Sequence, residues 1–146
     1  MKNLQTEIII NATPQQVWAV LTDFEKFTEW NPFILSIQGK PIVGTQLRAE
    51  LKNGNSTSVF KPKVLVAEPN KAFEWLGSLP IPGIFNGNHY FRIEDLGNGQ
   101  VKFIHGENFS GLLAGVIMKS IGTQTQNGFI AMNKALKNRV ENKIKG

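Results

Sequence analysis

No cysteine occurs among the 146 residues. Disulfides, thiolate metal sites and thiol nucleophiles are therefore excluded, which is compatible with a reducing compartment. No continuous apolar run reaches the roughly 18 residues that a transmembrane helix wants. The most apolar loop, Ser78 to Phe85, is broken by Pro80, Pro82 and Gly83. The segment Met1 to Glu7 lacks the apolar core of a secretory signal. A soluble, cytoplasmic protein is the economical expectation. The glycine-containing stretches match neither a P-loop nor a dinucleotide-binding fingerprint, and no compact metal-ligand spacing is present. No cofactor and no metal are expected.

The excess of positive charge is modest: sixteen basic against eleven acidic residues, or +5 with both histidines neutral. Lys134, Lys137, Arg139, Lys143 and Lys145 are spread over one C-terminal segment with Glu141 among them. That is the pattern of a solvated helix face. Without a reader motif or interleaved aromatics it does not point to specific nucleic-acid binding, though the charge permits peripheral membrane contact.

What the chain does have is a 41% hydrophobic fraction, enough for one folded domain spanning residues 1–146. The last third, from Leu112 to Ile144, contains no proline and recurs apolar at Ile117, Ile121, Phe129, Met132, Leu136 and Val140. These spacings fit one stripe of a long helix, which is marginal in water until that stripe is covered. Ser110 is a plausible start for it. The preceding chain supplies strands to cover it. Leu4, Ile8 and Ile10 share a parity in a first strand. Thr13-Pro14-Gln15-Gln16 has the residues of a capping box with proline at the first helical position. A second short helix, capped by Asp23, is expected to stop before Pro32.

Further strands are expected at Ile34 to Gln38, Thr45 to Leu51, Thr57 to Glu68, Lys71 to Gly77, Asn88 to Leu96 and Gln100 to Ser110. Pro62 implies an edge or a bulge in the third of these, since proline cannot donate to a ladder. The expected architecture is α+β: a curved antiparallel seven-stranded sheet around the terminal helix, with two short helices after the first strand.

The last hairpin carries the sharpest inference. Gly97-Asn98-Gly99 suits a three-residue turn ending in a glycine bulge. If Leu96 faces Gln100, Ile93 lies opposite Phe103, Phe91 opposite His105 and His89 opposite Glu107. One face then holds both histidines and an acid among aromatics, while Tyr90, Arg92, Lys102 and Asn108 point outward. The bland reading is a satisfied internal polar network, completed by Trp75 or by a helix residue such as Gln124. The functional reading is a ligand site, because burying a carboxylate among aromatics is costly unless donors compensate it. Trp30, Phe33, Phe60, Phe73, Trp75, Phe91, Phe103 and Phe109, with Ile121 and Thr125 from the helix, are ordinary core residues singly and cavity-lining candidates together. His89, His105 and Glu107 are the candidates for proton transfer.

The order of elements, together with Ile10-Asn11-Ala12-Thr13-Pro14-Gln15-Gln16-Val17-Trp18, Trp30-Asn31-Pro32-Phe33 and Phe103-Ile104-His105-Gly106-Glu107-Asn108-Phe109-Ser110-Gly111, resembles the Bet v 1/START-like (SRPBCC) superfamily of polyketide cyclase/dehydrase and lipid-transport type. The resemblance covers almost the whole chain. It implies a helix-grip fold and a cavity between sheet and terminal helix that takes a small hydrophobic or amphipathic ligand. It supplies no catalytic set, since members bind, carry or transform varied molecules. Three functions follow as expectations: ligand binding with the polar end against His89, His105 and Glu107; a cyclase or dehydratase using Glu107 and a histidine; and lipid exchange with the 79–85 loop touching a membrane.

Overall fold

A computed structural model describes residues 2–78 and 83–145. Strand β1 (Lys2–Ile10) is followed by helix α1 (Pro14–Leu21), a 3-10 turn at Phe24–Lys26 and helix α2 (Phe27–Trp30). Strands β2 (Ile34–Gln38), β3 (Arg48–Asn53), β4 (Ser56–Phe60), β5 (Lys63–Glu68), β6 (Ala72–Ser78), β7 (Asn86–Gly97) and β8 (Gln100–Ser110) come next, and helix α3 (Ala114–Lys145) closes the chain. The expected α+β helix-grip arrangement is present, but not one seven-stranded sheet. The strands form a five-stranded sheet in the order β1-β8-β7-β6-β5 and a three-stranded sheet in the order β2-β3-β4.

Pro62 is the physical reason. The segment expected to be one strand from Thr57 to Glu68 divides there, because proline offers no amide to the ladder. Backbone bonds still pass across the division, from Leu47 N to the Pro62 carbonyl at 2.7 Å and from Val64 N to the Thr45 carbonyl at 2.9 Å. A bulge also lies in β5, between Val64 and Val66, and shifts the parity of the residues after it.

At α1 the capping box forms as its residues imply: Thr13 Oγ1 accepts from Gln16 N, and Gln16 Oε1 accepts from Thr13 N. Asp23 makes no side-chain cap bond to the turn that follows it. Helix α2 ends at Trp30, one residue ahead of the Asn31-Pro32 pair. The Asn31 Oδ1 then accepts from the amides of Phe33 and Ile34, at 2.9 and 2.8 Å, and turns the chain into β2. Helix α3 starts at Ala114, not at Ser110; Gly111 intervenes at φ +105, packed against the backbone of Ile84 and Phe85.

Phe129, Met132, Leu136 and Val140 of α3 are buried, whereas Ile117 and Ile121 are half-buried. The C-terminal half is also pinned by polar bonds: Lys137 donates to the Ile9 carbonyl, Glu141 accepts from Asn11 N, and Arg139 pairs with Glu29. Toward its start the helix is less covered, and there the interior opens.

The β7–β8 hairpin has the expected register with a different turn. Gly97 pairs with Gln100 across a two-residue Asn98-Gly99 turn, and both turn residues have positive φ. A bulge between Asp95 and Gly97 then restores the pairing of Ile93 with Phe103, Phe91 with His105 and His89 with Glu107. Tyr90 points outward as expected, but it is covered there. Its side chain is on the outer face by parity yet only 1% exposed. It lies across Gly106, whose missing side chain makes the room, with Arg92 over the ring and its hydroxyl bonded to Gln5 and Asn3.

Candidate functional site

Strand pairing sets two imidazoles and a carboxylate side by side on the inner face of β7 and β8. His89 Nδ1 is 3.1 Å from Glu107 Oε1, and His89 Nε2 is 2.8 Å from His105 Nε2. His105 Nδ1 is 2.9 Å from Asn133 Oδ1 on α3. The Asn133 amide donates to Thr6 Oγ1 at 2.8 Å, and the Thr6 hydroxyl donates to the His105 carbonyl at 2.9 Å. The helix partner of the network is thus Asn133, not Gln124, which lies beside Gly54. Trp75 takes part through its ring, 5.0 Å from that of His89.

Aromatic packing leaves both imidazoles almost no contact with solvent. The Phe129 ring stacks on His105 at 4.1 Å, and the Phe91 ring lies 4.7 Å from it. Burial holds the His105 pKa well below its usual value, with the neighbouring His89 acting in the same direction and the Asn133 hydrogen bond opposing both. His105 is therefore neutral near neutral pH.

Neutrality of His105 fixes the bond directions from Thr6 as far as His89 Nε2. The single Thr6 proton goes to the His105 carbonyl, so Thr6 must accept from Asn133 and the Asn133 oxygen must face His105. His105 consequently carries its proton on Nδ1 and presents a bare Nε2. His89 then donates from Nε2, leaving its Nδ1 against Glu107 Oε1. A hydrogen bond there requires one proton, held either by the imidazole or by the carboxyl. The separation of the two Nε2 atoms is that of a hydrogen bond, and His105 Nδ1 is committed to Asn133, so the two histidines are links in one hydrogen-bond chain from α3 to Glu107.

Glu107 is where this chain meets open space. A cavity of about 110 Å³ is walled by Phe33, Phe60, Trp75, His89, Glu107, Phe109, Ile121 and Thr125 from the expected set. Phe73, Phe91, Phe103 and His105 lie beneath it in the packed core, outside the wall. Phe91 and Phe103 stack on each other at 6.0 Å, and Phe73 is covered by Trp18 of α1 and by Phe24, so no space remains beside them. Trp30 packs on Phe27 at 5.2 Å and is not a wall residue.

Sequence reasoning missed the small wall residues Ala49, Gly77 and Gly87, together with Leu51 and Pro62, and named Phe85 only as the end of the apolar loop. A signal existed for Gly87, which is two residues before His89 on the same strand face. A Cβ there would collide with Glu107 Oε2, so glycine seats the carboxylate. Asn133 also had one: it is a polar residue four positions after Phe129, on the buried stripe. Phe33 reaches the site because Gly128 of α3 lets its ring approach the helix backbone. Of the apolar 78–85 loop, residues 79–82 lie outside the described residues; Phe85 is on the cavity wall, stacked on Phe109 at 5.7 Å.

The family model described as "Polyketide cyclase / dehydrase and lipid transport" matches residues 1–141. The chain belongs to this family. No curated protein matches the sequence. Among solved structures, the Zhui aromatase/cyclase from Streptomyces sp. R1128 superposes with a TM-score of 0.80 at 12% identity, covering 98% of this chain and 95% of that one. Hypothetical protein jhp0584 from Helicobacter pylori gives 0.78 at 20% identity, covering 95% and 88%. A START superfamily protein from Mycobacterium smegmatis gives 0.71 at 20% identity, covering 96% and 97%. At these identities the likeness establishes the START/Bet v 1 fold of the family member and nothing about its ligand. Among the described residues no helix is long and apolar enough to cross a membrane.

Proposed function

We propose that this family member binds a small, mostly hydrophobic molecule between the sheet and α3, with the molecule's polar end against Glu107. One observation carries the reading: an otherwise apolar cavity contains a single carboxylate, held in place by a buried histidine. Apolar pockets with a few convergent polar groups are the usual form of small-ligand sites. Size narrows the class. An apolar cavity of about 150 Å³ takes benzene, so about 110 Å³ suits one ring or a short chain. Protein-observed NMR with a library of single-ring compounds tests this. Saturable shifts at Gly87, His89 and Glu107 are expected, and their absence across the library rejects the reading.

Catalysis of proton transfer at the same site is the second reading. It is favoured by the 3.1 Å contact between His89 Nδ1 and Glu107 Oε1, which gives the carboxyl a partner able to take or return a proton. The aromatase/cyclase named among the structural neighbours makes a cyclase or dehydratase the reaction class to assay. In Glu107→Gln the amide can still bond to His89 but cannot exchange a proton with a substrate. Retained binding with a loss of turnover of a hundredfold or more supports this reading, and equal turnover rejects it.

A further inference from the structure

Four Asn-Gly pairs occur in the chain, at Asn53-Gly54, Asn86-Gly87, Asn98-Gly99 and Asn127-Gly128. We propose that Asn98-Gly99, at the tip of the β7–β8 hairpin, is a site of spontaneous covalent modification, in which the asparagine amide is lost and the turn is rebuilt with aspartate or isoaspartate. Water is the one co-reactant needed. The Gly99 backbone nitrogen attacks Asn98 Cγ; a C–N bond forms, the Cγ–Nδ2 bond breaks, and the amide leaves as ammonia with the proton that Gly99 gives up. The product is a five-membered cyclic imide. Water then opens the ring at either carbonyl, giving aspartate where the original peptide bond is kept and isoaspartate where the chain is left running through the side-chain carbonyl. Glycine is the residue that hinders this attack least, because it has no Cβ.

The attack requires a glycine amide outside the ladders, with room beside it for the asparagine side chain to swing across. Three of the pairs are held against it. Asn127 and Gly128 lie inside α3, where the helix ladder occupies the Gly128 amide and the Phe33 ring closes on Gly128. Asn86 and Gly87 are paired on both sides, with Ser78 and Gly77 of β6 and with Ser110 and Phe109 of β8, and Glu107 fills the space over Gly87. Asn53 pairs with Ser56, and Gly54 lies against the Gln124 side chain. Asn98 and Gly99 instead form the exposed turn between the paired Gly97 and Gln100. A Cβ built on Gly97 or Gly99 would meet nothing within 4 Å, and the Asn98 side chain has no bonding partner among the described residues. The two products differ in their effect on the hairpin that carries His89 and Glu107. Asn98 has φ +54, a left-handed conformation that aspartate also tolerates, so the turn survives that change. Isoaspartate adds a carbon to the backbone of a two-residue turn, and the pairing of Gly97 with Gln100 must give way.

Peptide mapping by mass spectrometry of the full-length chain, held folded at pH 8 and 37 °C beside a denatured sample, tests the assignment. In the denatured sample the four pairs should convert at comparable rates, since only local sequence then acts. In the folded protein the Asn98 peptide should convert at least about tenfold faster than the other three, which need local opening of a ladder or helix first. Its products should include isoaspartate, the mark of the cyclic imide. Asn98→Gly, which suits the same turn, should abolish conversion in this peptide and leave the other three as they were. The isoaspartate form, separated by chromatography, should unfold at lower denaturant than the aspartate form; equal midpoints would contradict the argument from the length of the turn. Another pair converting as fast as Asn98 in the folded protein, or no conversion at Asn98 while the denatured sample reacts, overturns the proposal.

Discussion

Asn133 Oδ1 on the C-terminal helix accepts the Nδ1 proton of His105 at 2.9 Å, joining helix and sheet through a polar bond inside an apolar interface. Both side chains are almost wholly buried, so neither has water as a substitute. The bond therefore does two things. It orients α3 over β8, and it settles which nitrogen of His105 is bare. The second consequence reaches His89, which must donate from Nε2 to the bare nitrogen.

His105 should remain unprotonated far below the pH at which a free histidine titrates, because burial opposes its charge. The unfolded chain binds a proton on this side chain below about pH 6.5. The folded state does so only at much lower pH. Stability linked to His105 is thus fully present above the unfolded value and is lost as pH falls toward the folded one, with a limiting slope of about 1.4 kcal/mol per pH unit. Glu29, whose pKa is held down by the hydrogen bond from Arg139, acts only below its ordinary 4.5, in a separate window. Denaturant midpoints from pH 8 to 5, with the His105 ring followed by NMR, check this. Ring titration near 6.5 in the folded protein would contradict it.

Much of the fold was legible because it rests on local chemistry. The Thr13 capping box, the end of α2 ahead of Pro32 and the stripe from Phe129 to Val140 each follow from a few neighbouring residues. The β7–β8 register was readable as well, although by a different route: a two-residue turn plus a bulge gives the same inner-face pairs as the three-residue connection expected from Gly97-Asn98-Gly99. What could not be read depends on contacts distant in sequence. Tyr90 has an outward parity, but Gly106 on the next strand and Gln5 and Asn3 on the first bury it. Phe91 and Phe103 share a face with Glu107, yet α1 and the aromatic layer close that end while the start of α3 leaves the other open. Alternation assigns a face; it does not say where along that face the space lies.

Gly87→Ala should leave the fold intact and move the carboxylate. Gly87 has no positive φ, so alanine adds no backbone strain, and its new methyl meets the free end of the Glu107 side chain. Expected is a stability change within about 1 kcal/mol, with altered chemical shifts at His89. Glu107→Ala should remove the conflict, so the effects of the two changes should not add. Strict additivity in a double-mutant cycle would show that Glu107 does not occupy this seat.

Two glycines of α3 should respond with opposite signs. Gly122→Ala meets only the mobile end of Met118, at 3.3 Å. It should stabilise by up to about 1 kcal/mol, the helix-propensity difference between the two residues. Gly128→Ala gains the same propensity but drives a methyl into the Phe33 ring, which is buried against Phe129 and His89. Overpacking of this kind costs about 1–3 kcal/mol, which exceeds the gain. Net destabilisation is expected, with disturbed resonances at the cavity. Thermal or denaturant unfolding of both variants decides it, and a stabilised Gly128→Ala would refute the close approach of Phe33.

Tyr90→Phe separates stability from binding, because Tyr90 and the cavity lie on opposite faces of the same strand. The tyrosine hydroxyl donates to Gln5 Oε1 at 2.7 Å and accepts from Asn3 Nδ2 at 3.0 Å. Each such bond contributes a net 0.5–1.5 kcal/mol as an order of magnitude. Asn3 keeps a second partner in Asn108, at 2.7 Å, so the lower half of the range applies to its bond with Tyr90. A loss of about 1–2 kcal/mol is expected, with the Arg92 contact over the ring preserved, since phenylalanine keeps the aromatic face. Affinity for single-ring ligands of the cavity should be unchanged. The inner-face neighbours of Tyr90, His89 and Phe91, keep all their contacts, and the β7–β8 register is fixed by the backbone ladder and the buried inner face rather than by this hydroxyl. Chemical denaturation paired with titration of a single-ring compound reads both quantities on one variant. A large fall in that affinity at retained fold would mean that the outer and inner faces of the sheet are coupled, and that the cavity is not set by the inner face alone.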